Sequence, residues 1–325
     1  MIAPAGADDP VQPHGSSVIT IFAPGGIGEV AAGTDLVAAI LTAVDADPLG
    51  PLREGDIIVA TSKIISKSQG RIEPASRRSE LITSQTRRTV ARRGETRIVR
   101  THDGLTIAAA GIDRSNLSPE SILLLPRDPD GSAAALHEAL ASATGLRLGV
   151  IISDTAGRPW RIGQTDHAIG VSGVRVLEDY AGARDAYGNE LQVTVMAVAD
   201  ELAAAADLVK GKLRGRPVAV VRGLGQLLGQ AESDARGLLR DPAEDMFGFG
   251  SQEAVLAAAL VATGQHHRYE ELVALDRAER TSRLLAGTTL GREAADLMRA
   301  MMSVDLLTDD PQRTEINSPL PETDR

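Results

Sequence analysis

Several kinds of residue are scarce or absent in this chain of 325 residues, and each absence excludes a class of function. Cysteine is absent, so the chain has no disulfide bond, no thiolate nucleophile and no metal site built on thiolates. Phe, Trp and Tyr make up only 2% of the residues, too few for the stacking platforms that bind single-stranded nucleic acid. No run of about 18 apolar residues occurs, and the N-terminus lacks a basic segment followed by an apolar one. We therefore predict a cytoplasmic protein that binds neither nucleic acid nor membranes.

Basic residues are fewer than acidic ones, because the chain contains 34 Lys and Arg residues and 44 Asp and Glu residues. The net charge of −10 argues against a general polyanion-binding protein, so any phosphate-binding site must be local. Between residues 71 and 100, however, nine arginines accompany only three glutamates. We interpret this stretch, with a predicted helix over 76–93, either as a solvated helix face or as a wall that attracts an anionic substrate.

Strand-like and helix-like segments alternate along the first 250 residues. Apolar runs predict strands at 17–24, 56–62, 105–111, 121–126, 146–153, 191–199 and 217–223. Helical patterns lie at 34–44, with Thr34 as a candidate cap, and at 76–93, 132–144 and 200–213. The alternation predicts an α+β (mixed α/β) fold with mixed sheets, flanking helices and some parallel strand pairs.

We divide the chain into four segments. Residues 1–16 are rich in Pro, Gly, Ala and Asp and are predicted to be a flexible N-terminal arm. Residues 17–250 form the main domain, and 251–307 are predicted to be a helical extension. Residues 308–325 are predicted to be a disordered tail.

Two of the predicted strands are each followed by an aspartate. Strand 105–111 leads to Asp113, and strand 146–153 leads to Asp154 and Thr155. Ligands of α/β proteins usually bind at the carboxyl ends of strands. Each aspartate alone is equally typical of a helix cap or a turn. Together they are hard oxygen ligands suited to Mg²⁺ or Mn²⁺, and Thr155 adds a hydroxyl oxygen.

Two lysines follow another strand, in the segment TSKIISKSQGR at 61–71. Lys63 and Lys67 are spaced four residues apart, as on one helix face, so they are either surface lysines or a cradle for phosphate oxygens. The segment is not a P-loop, and GGIGEV at 25–30 is not a dinucleotide fingerprint. The polar, Gly-rich stretch 154–170, which contains the only Trp, is predicted to be a long functional loop.

Through these motifs the chain resembles the GTP-dependent coenzyme F420:L-glutamate ligases, including the N-terminal half of the two-domain actinobacterial enzymes. Seven segments in register carry the resemblance, among them GDIIVATSKIISKSQGR (55–71), AAAGIDRSN (108–116) and VIISDTAGRPWRIGQTDHAIG (150–170). They lie in order between about residue 17 and residue 250. The resemblance implies an F420 gamma-glutamyl ligase-like fold and an intertwined homodimer.

The same resemblance implies an activity and a set of site residues. The family uses GTP and a divalent metal to join L-glutamate to the lactyl carboxylate of F420-0, or its dehydro form, through an acyl phosphate, and then extends a gamma-linked oligoglutamate tail. Asp113 and Asp154 match ligands of one Mg²⁺ or Mn²⁺, Thr155 matches a ligand of a second, and K⁺ is a further candidate cofactor. Asp166 and His167 are candidates for the base that deprotonates the glutamate amine. The positions that match GTP contacts are Ile27, Gly28, Glu29, Val30, Ser62, Lys67 and Asn116.

Two departures from the family limit these expectations. Archaeal members carry a glutamine, placed to bind the second metal, where this chain reads LVKGK at 208–212. A protonated lysine cannot ligate a metal, which puts the second site in question. The 75 residues after position 250 are too few for the flavin-binding domain of the two-domain relatives, so we expect a ligase module without flavin.

Two other functions remain open at this point. The chain would also suit a nucleotide- and metal-dependent glutamate ligase that acts on another carboxylate acceptor. It would equally suit a non-catalytic GTP-binding regulatory protein.

Overall fold

The computed structural model of the protein describes residues 18–192, 194–229, 234–288 and 291–303. The predicted arm 1–16 and tail 308–325 lie outside the described residues, as does the end of the helical extension. The strands are β1 (Thr20–Phe22), β2 (Ile57–Thr61), β3 (Ile72–Pro74), β4 (Thr86–Arg93), β5 (Thr96–Thr101), β6 (Thr106–Ala108), β7 (Ser121–Leu123), β8 (Gly149–Arg158), β9 (Arg161–Ser172), β10 (Glu178–Asp179), β11 (Val195–Met196) and β12 (Val218–Arg222). The helices are α1 (Leu36–Asp45), α2 (Ser62–Ser68), α3 (Arg78–Gln85), α4 (Pro129–Thr144), α5 (Val198–Lys210), α6 (Ser251–Ala262), α7 (Tyr269–Val273), α8 (Arg277–Ala286) and α9 (Arg292–Ser303).

A five-stranded sheet with the order β1-β12-β2-β8-β9 forms the centre of the fold. Its strands β2 and β8 pair in parallel, whereas the other neighbours are antiparallel. The predicted mixed α/β architecture with some parallel pairing is therefore confirmed. Because β2 and β8 run in parallel, their carboxyl ends lie at the same edge of the sheet. At this edge, residues 61–71, here called the Ser-Lys segment, lie close to Asp154 in β8.

Both faces of this sheet are buried. Ile58 and Ala60 of β2 pack in one apolar cluster with α1, α2 and α4, whereas Ile57 and Val59 pack in a second cluster with α5. This division follows from the two-residue period of a strand. Each fully buried isoleucine stabilises the fold by roughly 1.5–3 kcal/mol relative to exposure. The strand that carries the Ser-Lys segment is therefore rigidly anchored on both sides.

The basic stretch after α2 differs from the predicted helix over 76–93. The helix α3 ends at Gln85, and β4 continues over Thr86–Arg93 as part of the antiparallel sheet β4-β5-β6. The β-branched residues Thr89 and Val90 are buried, and such residues favour a strand over a helix. The helical prediction was therefore wrong for this half of the stretch.

Three further predictions need correction. Residues 154–170 are not a loop, because β8 and β9 form a long antiparallel hairpin whose turn contains Trp160 at a φ of 60°. Of the strand predicted at 191–199, only the two residues of β11 are extended, and α5 begins at Val198. Val198, Leu202 and Ala206 form an apolar face at helical spacing, which favours the helix. The cap of α1 is Asp35, whose side chain accepts a hydrogen bond from the backbone N–H of Ala38.

Helices α6–α9 have an apolar cluster of their own and also contact the basic strand β4. The Glu270 carboxylate accepts hydrogen bonds from the backbone N–H and the hydroxyl of Thr89, at 2.8 and 2.9 Å. The Tyr269 hydroxyl donates to the Thr89 carbonyl at 2.8 Å. In addition, the Arg88 guanidinium lies over the Phe249 ring, 4.3 Å from its centroid. Half of the basic stretch thus serves as a docking surface for the helices.

Within the part of the chain that the structure describes, no helix is both long enough and apolar enough to span a bilayer.

Candidate functional site

A cavity of about 540 Å³ opens at the edge of the sheet where β2 and β8 end. Its walls come from the Gly-rich turn after β1, helix α2, the segment between β6 and β7, the β8–β9 hairpin and the segment that follows α5. Eight of the ten residues that the sequence assigns to nucleotide or metal binding line it, namely Gly28, Glu29, Val30, Lys67, Asp113, Asn116, Asp154 and Thr155. The structure thus brings together residues that lie more than 120 positions apart in the sequence.

The other two predicted residues lie just behind the cavity wall. Ile27 is buried in the apolar cluster with α1 and α2, so its side chain supports the turn. Ser62 is also buried, and its hydroxyl donates a hydrogen bond of 2.7 Å to Oδ1 of Asp154. Ser62 therefore positions a predicted metal ligand.

The two lysines of the Ser-Lys segment both point into the cavity. Lys67 is only 6% exposed, and its ammonium group lies 2.5 Å from the Glu29 carboxylate and 3.0 Å from the carbonyl oxygen of Asn116. The Lys63 ammonium group lies 2.7 Å from the Asp113 carboxylate and also contacts the Ser115 hydroxyl. The interpretation of these residues as free surface lysines is therefore wrong.

The two predicted metal ligands have opposite electrostatic surroundings. Burial raises the pKa of Asp154 to about 6, and the neighbouring Asp166 and Asp113 carboxylates act in the same direction, against the Ser62 hydrogen bond. Burial alone would also raise the pKa of Asp113, but hydrogen bonds from Lys63 and Ser115 outweigh it and lower that pKa. Asp154 is thus a half-buried carboxylate that has no ion-pair partner among the described residues.

Asp166 forms the centre of a hydrogen-bonded cluster beside Asp154. It lies directly opposite Thr155 in the β8–β9 hairpin, and the Thr155 hydroxyl donates to its Oδ1 at 2.6 Å. Its Oδ2 accepts hydrogen bonds from the Ser153 hydroxyl at 2.8 Å and from the Lys210 ammonium group at 2.9 Å. Lys212 approaches Oδ1 at 3.4 Å. Both carboxylate oxygens of Asp166 therefore already have donors.

The surroundings of Asp166 and His167 show whether either could act as the general base. Burial alone would raise the pKa of Asp166, but the charge of Lys210 and the hydrogen bonds from Thr155, Lys210 and Ser153 outweigh it and lower the pKa to about 2. A carboxylate with so low a pKa is a weak proton acceptor near neutral pH. His167 is not among the residues that line the cavity. Neither candidate is therefore supported as the general base.

The donor atoms around Asp154 suit a divalent cation. Asp113 and Asp154 both line the cavity, and carboxylate oxygens are the ligands that Mg²⁺ and Mn²⁺ prefer. Across the described ranges, no group of three or more His, Cys, Asp or Glu residues could hold a metal ion. Substrate oxygens and water would have to complete the coordination, as is usual for Mg²⁺.

The surroundings of Thr155 do not suit a second divalent cation. The Thr155 hydroxyl already donates to Asp166 and accepts a hydrogen bond from the Lys212 ammonium group at 2.8 Å. Lys210 lies on the far side of the same carboxylate. A metal at Thr155 would therefore have two ammonium groups nearby.

Sequence patterns did not single out four cationic residues of the cavity: Arg78, Lys210, Lys212 and Arg216. Arg78 is one of the nine arginines between residues 71 and 100, and its position in the sequence does not distinguish it from the other eight. Its Nε atom is buried and has no hydrogen-bond partner within the described ranges. The two lysines lie in the segment LVKGK, which departs from the archaeal pattern. That departure was the only signal in the sequence for them.

Comparisons with known proteins agree with this site. The sequence profile described as F420-0:Gamma-glutamyl ligase matches residues 26–223. The chain is 38% identical over 218 residues to the coenzyme F420:L-glutamate ligase of Methanopyrus kandleri, a match that covers 60% of this chain and 86% of the relative. It is 37% identical over 251 residues to the ligase of the same name from Methanothermobacter thermautotrophicus, with 70% and 98% covered. The matched region contains every predicted site residue.

Proposed function

Because the chain belongs to the F420-0:Gamma-glutamyl ligase family, we propose that it is an amide-bond-forming ligase that joins L-glutamate to the lactyl carboxylate of coenzyme F420-0 or its dehydro form. Further glutamates would then be added through gamma linkages. The observation that carries the proposal is the single cavity in which Lys67, Asp113 and Asp154 converge. Relatives named coenzyme F420:L-glutamate ligase are 36% to 38% identical to the chain over the 217 to 251 residues that match.

We propose GTP as the second substrate. A nucleotide needs a pocket of roughly 300–1,000 Å³ with cationic groups at one end, and the cavity meets both conditions. Lys67 and Lys63 supply ammonium groups for phosphate oxygens, and the buried position of Lys67 strengthens its field. The Gly-rich turn at Gly28–Val30 and the segment around Asn116 line the cavity beside Lys67, whose ammonium group contacts the Glu29 carboxylate and the Asn116 carbonyl.

The proposed chemistry has two steps. A carboxylate oxygen of F420-0 attacks the γ-phosphorus of GTP, the bond to the β–γ bridging oxygen breaks, and GDP leaves. The uncharged amine of glutamate then attacks the acyl carbon, inorganic phosphate leaves, and the nitrogen loses a proton. Positioning and charge stabilisation are the main tasks in phosphoryl transfer, and Lys63 and Lys67 are placed to provide them.

A divalent cation held by Asp113 and Asp154 would supply positive charge to the phosphate oxygens. Ser62 keeps the Asp154 carboxylate oriented toward the cavity, and Lys63 does the same for Asp113. We further propose, from the family resemblance alone, that the protein is a cytoplasmic homodimer.

The test is a reaction of the purified protein with GTP, Mn²⁺, L-glutamate and F420-0, analysed by mass spectrometry. A ladder of products, each heavier by one glutamyl residue, is expected. It should be absent without GTP and absent from the Asp154→Asn variant. A protein that binds GTP in a metal-dependent way but forms no such product would instead use another acceptor or act as a regulatory protein.

A further inference from the structure

The Lys212 side chain occupies the position in the cavity where a second metal ion was expected. Its ammonium group lies 2.8 Å from the Thr155 hydroxyl, 2.9 Å from the Asp207 carboxylate and 3.4 Å from the Asp166 carboxylate. These three oxygens surround one point of the cavity wall. An ammonium group has three N–H donors, which matches this set.

From this geometry we infer that Lys212 supplies the positive charge on the Thr155 side of the cavity in place of a second divalent cation, so that each active site binds one divalent cation. The inference rests on the proposed ligase function. It names the residue that completes the charge of that site.

Lys210 and Lys212 have different environments although they contact the same carboxylate. The Lys210 side chain is 5% exposed and is committed to Asp166 and Ser153. The Lys212 side chain is 58% exposed and lines the cavity. Lys210 therefore neutralises Asp166 within the fold, whereas Lys212 keeps access to a ligand in the cavity.

The two sides of the cavity consequently differ in their need for metal. Asp154 is half-buried, and within the described residues the Ser62 hydroxyl is its one side-chain hydrogen-bond donor, so a divalent cation beside it would balance its charge. Asp166, in contrast, is already balanced by two ammonium groups, and a divalent cation there would be repelled by both. A fixed ammonium group also provides its charge at any metal concentration.

The test counts the Mn²⁺ ions bound to each chain in the presence of an equimolar, non-hydrolysable GTP analogue. Electron paramagnetic resonance measures the free Mn²⁺, and the difference from the total gives the number of ions bound to each protein–analogue complex. The wild-type protein and its Lys212→Arg variant are expected to bind one ion. Lys212→Met removes the ammonium group and frees oxygens of Thr155, Asp166 and Asp207, so this variant is expected to bind two.

Two Mn²⁺ ions on the wild-type chain would overturn the inference, and so would a single ion on Lys212→Met. Glutamylation rates of the same three proteins provide a second readout. Lys212→Arg should retain most of the activity, whereas Lys212→Met should require a higher Mn²⁺ concentration for half-maximal rate. If the wild-type chain forms no glutamylated product but still binds one Mn²⁺, the proposed function fails while the inference on Lys212 stands.

Discussion

The Lys210→Met substitution should destabilise the fold strongly, because it leaves the Asp166 carboxylate buried without its closest cation. The two charged groups are 2.9 Å apart and are exposed to only 5% and 3%. Removing one partner of such a buried pair typically costs 3–5 kcal/mol, so we expect a loss of about that size in the free energy of unfolding. With an unfolding entropy of about 2.1 cal/mol/K per residue, such a loss in a chain of 325 residues should lower the unfolding temperature by roughly 4–7 °C.

The matched control is Lys212→Met, two positions further along. The Lys212 side chain is half exposed, lies 3.4 Å from Asp166 and has a second partner in Asp207. Pairs of this kind contribute only about 0–1 kcal/mol. Urea unfolding at pH 7, followed by circular dichroism, measures both losses. Equal losses for the two variants would refute the assignment of Lys210 to the fold and Lys212 to the cavity.

The pH dependence of stability provides a second measurement on the same carboxylate. The pKa of Asp166 is lowered from 3.8 to about 2 in the folded protein. A lowered pKa stabilises the fold at pH values above the unfolded pKa, and the stabilisation is lost as the pH falls toward 2. This shift in the pKa of Asp166 corresponds to roughly 2 kcal/mol in the free energy of unfolding. The difference in the free energy of unfolding between the wild type and Asp166→Asn should therefore decrease as the pH falls from 5 to 2. A difference that stays constant would contradict the pairing of Asp166 with Lys210.

Three further substitutions test other parts of the structure. Lys67→Met removes a buried ammonium group from the proposed phosphate end of the cavity. The loss of a charged hydrogen bond to a phosphate oxygen costs about 1.5–3 kcal/mol, so the Kd for GTP, measured by calorimetry, should rise roughly 10- to 100-fold. Arg78→Met removes the guanidinium whose buried Nε has no hydrogen-bond partner in the described part of the chain. It should raise the KM for an anionic substrate roughly tenfold without lowering the unfolding temperature, whereas an unchanged KM would show that Arg78 contacts no substrate. Thr89→Val removes the hydroxyl that donates to Glu270 at 2.9 Å, so helices α6–α9 should become more sensitive to limited proteolysis while the main domain stays intact.

Much of the fold could be predicted because buried strands are marked by uninterrupted apolar runs. β2 and β12 lie in the centre of the sheet with both faces covered, and their sequences contain almost no polar residue. The β8–β9 hairpin could not be predicted in the same way. Its distal half carries polar side chains that face the cavity or solvent, and such a segment has the composition of a loop. The strand β4 was missed because its arginines suit a solvated helix equally well.

The site was predictable only in part, for a related reason. Asp154 lies in β8 just beyond its pairing with β2, and Lys67 lies in α2 directly after β2, so their positions mark the carboxyl edge of the sheet. Asp113 comes shortly after β6. Lys212 and Arg78 reach the cavity from segments that have no fixed relation to that edge. Their roles depend on distances across the fold, such as that from Lys212 to Thr155. No spacing along the chain encodes such a distance.

The charge of the cavity differs from that of the whole chain, and this difference bears on the proposed binding of GTP. Six basic and five acidic side chains line it, so the cavity alone is almost neutral, although the chain carries a net charge of −10. Each lysine near the predicted phosphate site has a carboxylate partner, as in the pairs Lys67–Glu29 and Lys63–Asp113. These pairs keep the ammonium groups ordered while no anion is present. A divalent cation held by Asp113 and Asp154 would shift this balance in favour of anions, because it neutralises the Asp154 carboxylate and competes with Lys63 for Asp113. The Lys63 ammonium group is then available to phosphate oxygens. Nucleotide and metal should therefore strengthen each other's binding, and by linkage the effect must be equal in both directions.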